Sequence, residues 1–184
     1  MAKVDLVIQA INNIMKNIVL LALLLFSSGI IAQTLDCSNL IEKDKTYYIN
    51  GGNIPFTGKC IQWLDKTHKS FESEYKNGKL NGKEITWNRN GIIVSESNYK
   101  EGKYNGFVNH YNDNGIIKSK EKYVDDYKNG ISTYYHPNGK KASEGNFINC
   151  NEDGKWYFWD EKGILIKEVI YKDAIIISEK IFNK

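Results

Sequence analysis

Apolar and polar residues alternate in short runs along most of the chain, the period-two pattern of half-buried strands. In GKEITW (residues 82–87), Ile85 and Trp87 fall on one side and Glu84 and Thr86 on the other. In IVSESNY (residues 93–99), Ile93, Ser95, Ser97 and Tyr99 alternate with Val94, Glu96 and Asn98. Turn-forming residues separate the runs. NRNGIIVSESNYKEGKYNG (residues 88–106) reads turn, strand, turn, and NDNGIIKSKEKYVDDYKNG (residues 112–130) writes it again. Asn-Gly pairs accept positive φ and so close tight hairpins between such strands.

The repetition has a fixed period. Gly58, Gly82, Gly106, Gly130 and Gly154 follow one another at 24-residue intervals without insertion. Five residues after each stands Trp63, Trp87, Tyr111, Tyr135 or Trp159, and seventeen after each stands Tyr75, Tyr99, Tyr123, Phe147 or Tyr171. A second glycine comes nine residues after the marker at Gly91, Gly115, Gly139 and Gly163, with Thr67 in the first unit. Asn90, Asn114 and Asn138 precede three of these. A glutamate recurs at Glu72, Glu96, Glu144 and Glu168, replaced by Lys120 in the third unit.

This register predicts an all-β fold: an elongated, single-layer antiparallel meander of five 24-residue hairpin repeats over residues 58–173. Each unit is a short strand, an Asn-Gly turn, a longer return strand and a second turn, and touches mainly its neighbours. Equivalent aromatics are expected two strands apart, roughly 9–10 Å, forming ladders that supply most of the apolar contact. Residues 33–57 are expected to cap one end, with residues 45–60 as a degenerate hairpin, and residues 174–184 to form a capping strand. In that strand Glu179 and Lys180 discourage edge-to-edge pairing.

The first thirty-two residues are of another kind. MKNIVLLALLLFSSGIIA (residues 15–32) has a short basic start at Lys16, an apolar run from Ile18 to Phe26 and small residues before Ala32. This is the layout of a secretory signal peptide, too short in its apolar part for a membrane span. Cleavage is expected after Ala32 and the native start at Met15, which places the product in the periplasm, on the outer surface or in the medium. An acidic residue, Asp36, directly before Cys37 argues against lipid attachment there.

Twelve tyrosines and two prolines agree with strands and turns. The net charge of +3 falls to +2 without residues 1–32, which hold Lys3, Lys16 and Asp5. That balance does not point to nucleic acid. Export permits disulfides among Cys37, Cys60 and Cys150. Cys37 and Cys60 both lie near the start of the mature chain and are the favoured pair, leaving Cys150 over; three free thiols are the alternative.

Candidate chemistry is sparse. His68, His110 and His136 occupy unequal positions in their units, so they form no repeated metal site. HYNDNGIIKSKE (residues 110–121) imitates part of a calcium loop, but His110 replaces the leading Asp and the flanks read as strands. Asp125 and Asp126 lie on a turn with no apolar environment in view. No metal, cofactor or catalytic residue is expected, and no enzyme.

The pattern in GKEITWNRNGIIVSESNYKEGKYNG, with PFTGK (residues 55–59) opening the array, resembles the variant MORN repeat common in bacterial proteins. The likeness spans about residues 56–171. Asp126, Cys150 and Ala174 depart from it by replacing the turn glycine seen at Gly78 and Gly102, which points to differently shaped later turns. The resemblance implies a non-enzymatic scaffold for protein or lipid contacts, and many bacterial members are described as antitoxin-like. The expected function is an exported scaffold that binds a protein partner in the cell envelope. The alternatives are a glycan- or lipid-headgroup-binding module using exposed ladder aromatics, or an antitoxin-like protein neutralising a toxin.

Overall fold

The computed structural model describes residues 33–182. The expected export segment lies outside the described residues, as do the last two positions. Fifteen strands follow in chain order: β1 (Gln33–Asp36), β2 (Leu40–Lys43), β3 (Thr46–Ile49), β4 (Gly58–Trp63), β5 (Lys69–Lys76), β6 (Lys79–Trp87), β7 (Ile93–Lys100) and β8 (Lys103–Tyr111), then β9 (Ile117–Val124), β10 (Tyr127–Lys128), β11 (Gly130–Tyr135), β12 (Lys141–Ile148), β13 (Asn151–Trp159), β14 (Leu165–Lys172) and β15 (Ile175–Ile181). From β4 to β15 each strand pairs antiparallel with the next, except that β9 bonds onward to β11 while the two-residue β10 folds back on β9. This is the sequential meander that the alternating pattern implies.

The N-terminal end differs from the expected capping hairpin of residues 45–60. β3 pairs backward with β2, closed by Asp44 and Lys45 at positive φ, and meets the following segment at the isolated Tyr48–Pro55 bridge, where the Phe56 N–H donates to the Tyr47 carbonyl. β1 lies parallel to β4, so the sheet is mixed at this edge. Parallel neighbours need a crossover connection, and the β2–β3 hairpin forms part of that excursion. A Cys37–Cys60 disulfide, with Cα atoms 4.9 Å apart, joins the cap to the sheet, while Cys150 is free and exposed. Phe56, Cys60 and Tyr75 form a buried cluster there with Leu35, Leu40, Tyr47 and Leu80 packed around it.

The connecting turns are of two kinds, each repeated. In the first, the backbone N–H of Asn88, Asn112, His136 and Asp160 donates to the carbonyl four residues on, and the glycine three residues on returns a bond. Only that glycine has positive φ; Asn90, Asn114 and Asn138 do not. These are three-residue hairpin loops, a type I turn closed by a left-handed glycine. Asn88 and Asn112 add side-chain caps, each accepting two backbone N–H bonds within its loop.

The second kind is tighter. Asn77-Gly78, Glu101-Gly102, Asp125-Asp126, Asn149-Cys150 and Asp173-Ala174 all have positive φ at both positions. Two such residues make the type I′ turn whose twist matches the flanking strands. The expectation of differently shaped later turns is therefore corrected: losing glycine did not change the turn. The reason is a backbone bond made at every one. The N–H of Gly78, Gly102, Asp126, Cys150 and Ala174 donates to the carbonyl of Phe56, Leu80, Tyr104, Lys128 and Glu152 respectively, at 2.7 to 3.0 Å. Ala174→Gly keeps that bond and removes the left-handed cost of an alanine, about 1–2 kcal/mol before the entropy glycine adds to the unfolded chain. A higher urea midpoint is expected, by an amount on the order of 0.5–1 kcal/mol at unchanged m-value.

The marker glycines lie inside the sheet rather than in turns. Asn81-Gly82 and Asn105-Gly106 sit within β6 and β8, at the register shifts opposite Glu74 and Asn98. A Cβ on Gly82 would fall 2.9 Å from the Cβ of Glu74 and onto its carboxylate, at a φ of +126°. Gly82→Ala is expected to cost about 1–3 kcal/mol in urea unfolding, the range for enforced backbone strain.

Candidate interaction surfaces

Cross-strand pairing decides which residues share a face, because directly opposed side chains point the same way. Ile61, Glu72, Ile85, Glu96, Asn109, Lys120, Thr133, Glu144, Tyr157 and Glu168 oppose one another strand by strand across the sheet. Cys60, Ser73, Glu84, Ser97, Val108 and Glu121 form a second such row. The first row marks a glutamate face, which also carries Trp63, Trp87, Tyr111, Tyr135 and Trp159. The second marks a tyrosine face with Tyr75, Tyr99, Tyr123, Phe147 and Tyr171. The two aromatic ladders therefore stand on opposite sides of the sheet.

On the glutamate face the recurrent acids are occupied. Glu72 accepts from Lys59 and Lys69, both at 2.6 Å; burial pushes its carboxyl up, and the two lysines outweigh that and hold it below the usual value. Glu96 accepts from the Tyr111 hydroxyl at 2.7 Å, and that phenol rises to about 12 through burial and this bond. Glu144 takes Lys141 at 2.6 Å and Thr133 at 2.9 Å, and Glu168 takes Lys155 at 3.1 Å. Where Lys120 replaces the acid, it and Lys122 lie over the Phe107 ring at 4.3 and 4.7 Å. Trp63 is 46 % exposed, while Trp87 and Trp159 are half-buried. The Lys69 ammonium lies 5.8 and 5.7 Å from the Trp63 and Trp87 ring centres, above a shallow hollow that also includes Thr67, His68 and Gly91.

The tyrosine face is packed differently. Equivalent aromatics do not simply stack on one another; Tyr104 sits between two of them, 4.6 Å from Tyr99 and 5.4 Å from Tyr123. Toward the C-terminus Trp156 takes over, 4 % exposed, against Phe147, Tyr134, Phe158 and Tyr171. Trp156 belongs to neither ladder. Its position in the unit is held elsewhere by Cys60, Glu84, Val108 and Ser132, so no residue type repeats to reveal it.

Glu84 is the odd member of that series. It is half-buried, and the Tyr99 hydroxyl donates to it at 3.3 Å. Burial raises its carboxyl above the usual value of 4.5, with the Tyr99 bond pulling the other way. A raised folded-state value means the fold favours the protonated acid. The stability from that proton is fully present below pH 4.5 and is lost as pH rises through the raised value. Glu84→Gln is therefore expected to melt above the parent at pH 7, the gap narrowing as pH falls toward 4.5. Thermal melts at the two pH values check it.

The histidines remain apart. His68 bonds Asp65 at 2.9 Å, His136 bonds the Trp159 carbonyl at 2.8 Å, and His110 is exposed. Among the described residues no group of three or more His, Cys, Asp or Glu gathers as a metal would require. Asp125 and Asp126 are turn residues, and Asp126 accepts the Tyr104 N–H.

Hairpins set at a constant interval, with the same backbone bond recurring at every tight turn, define a repeat scaffold. Residues 80–101, 128–149 and 152–173 each match the family model of the MORN repeat variant, so the chain carries repeats of that family. Such repeats typically serve as non-enzymatic scaffolds, often for binding. No curated protein matches the chain.

Proposed function

We propose that this protein is an exported scaffold that binds a protein partner in the cell envelope. The observation that carries the reading is the last strand. β15 ends the sheet, every one of its residues is exposed, and Ile175, Ile176, Ile177 and Ile181 stand 54–66 % open. Over Ile175–Ile177, ahead of the guarding Glu179 and Lys180, the open edge offers backbone donors and acceptors in strand register, with side chains on alternating sides. Isoleucines along it suit the apolar side chains of an extended polypeptide segment better than they suit a sugar or a headgroup.

A second reading has one observation of its own. Trp63 and Trp87 flank Lys69 on an open part of the glutamate face, a flat aromatic shelf that a glycan or an anionic lipid headgroup could stack on. Tryptophan fluorescence separates the two. On the protein-partner reading, envelope polysaccharide and anionic liposomes leave the emission unchanged, and the immobilised chain retains a specific protein from envelope extract. A saturable shift with either titrant and an empty eluate would replace the first reading by the second.

A further inference from the structure

The tyrosine face contains two nooks of the same make, and the chain fills one of them itself. In the first, Glu121 is 8 % exposed and Lys128 bonds it at 2.9 Å. Tyr123 donates to the same carboxylate at 3.1 Å, and the Lys128 ammonium reaches the Tyr134 hydroxyl at 3.3 Å. The Phe147 and Tyr134 ring centres lie 5.3 and 5.9 Å from that ammonium. Acid, tyrosine hydroxyls and ring faces together house one cation, as charge-assisted bonds and cation–π attraction favour.

The second nook has the housing without the cation. Glu84 is half-buried and opposes Ser73 and Ser97 on the flanking strands. Tyr99 bonds it and stacks on Tyr104 at 4.6 Å. Tyr75 lies on the flanking strand opposite Leu80, its ring 4.9 Å from that of Tyr47. The position that supplies Lys128 in its unit holds Leu80 and Tyr104 in the units bordering Glu84. Among the described residues no lysine, arginine or histidine pairs with Glu84.

We propose that the Glu84 nook, beside Tyr99 and Tyr104, receives an arginine or lysine side chain of the partner protein, doing for the partner what the Glu121 nook does for Lys128. A half-buried carboxylate lacking a cation is costly to keep, and an incoming ammonium or guanidinium offsets that cost while gaining ring contacts. The inference rests on the protein-partner reading above and adds the chemistry of the contact.

The test uses acetyl-Gly-Arg-Gly-amide and its citrulline counterpart, a neutral isostere, titrated into the chain carrying labelled tyrosine rings. The arginine peptide is expected to move the Tyr99 and Tyr104 ring resonances saturably, while the citrulline peptide leaves them in place. Glu84→Gln should weaken the arginine peptide about tenfold or more, the loss expected for one charge-assisted bond. Equal shifts with both peptides, no saturable shift, or unchanged affinity in Glu84→Gln would each overturn the site. Capture from envelope extract separates this from the parent reading. A specific protein held equally by the parent chain and Glu84→Gln sinks the nook and leaves the protein-partner reading. Peptide binding with no protein captured sinks that reading and leaves the nook.

Discussion

Trp156→Ala is expected to destabilise the protein by about 3–5 kcal/mol, the range for removing a buried large aromatic. The ring is 4 % exposed and replaces the second layer that a lone sheet does not have. It meets Phe147 edge-on at 5.1 Å and Tyr171 at 6.1 Å, and lies near Tyr134 and Phe158 at 6.4 and 6.3 Å. Its indole N–H donates to the Asn146 carbonyl at 3.2 Å. It fits only because the facing residue is Gly145, where any Cβ would run into the indole. Val169, fully buried, closes the cluster. With one face of the sheet open, neighbours cannot collapse into the gap from a second layer, which keeps the cost high. Urea unfolding followed by circular dichroism measures it. A loss under about 1 kcal/mol, the size of an ordinary surface change, would mean the ring is not the core.

Cys37→Ser is expected to cost about 3 kcal/mol, from the loop-closure entropy of a cross-link between residues 23 apart. The bond ties the cap to Cys60, which is fully buried among Phe56 and Tyr75. Cys37 is the gentler site for the exchange, being only partly buried. Reducing the parent chain should lower its urea midpoint by the same amount, and reduction should leave Cys37→Ser unmoved. Cys150→Ser should respond to reductant as the parent does, since its thiol is free. A parent midpoint indifferent to reductant would contradict the cross-link.

Much of the fold was legible because its strongest signals are spaced by the backbone itself. Glycines at 24-residue intervals mark strand positions where, at Gly82, Gly106 and Gly130, a Cβ would strike the preceding strand, and aromatics at two fixed distances from them mark strand ends. Single-residue departures misled where backbone bonding outweighs side-chain preference. Asp126, Cys150 and Ala174 suggested altered turns, yet each N–H is held by the same carbonyl as at Gly78 and Gly102. The parallel placement of β1 gave no local signal, because it depends on a long-range pairing and a disulfide. The core around Trp156 stayed hidden for another reason. Its position carries a cysteine, an acid, a valine, a serine and a tryptophan in turn, so periodicity averages it away. That same position held a usable clue to the Glu84 nook: one acid in a column that otherwise avoids charge, on a strand face lined by tyrosines.

Binding of a protein partner through the open end of the sheet is tested most directly by a paired capture. The parent chain and a variant with Ile175, Ile176 and Ile177 each changed to lysine are immobilised and exposed to the same envelope extract. All three side chains are exposed, so the variant should fold as the parent does. Mass spectrometry of the eluates is predicted to show one protein enriched on the parent chain and lost from the variant. Eluates that match for both proteins, or that contain nothing beyond the bare support, would contradict the account.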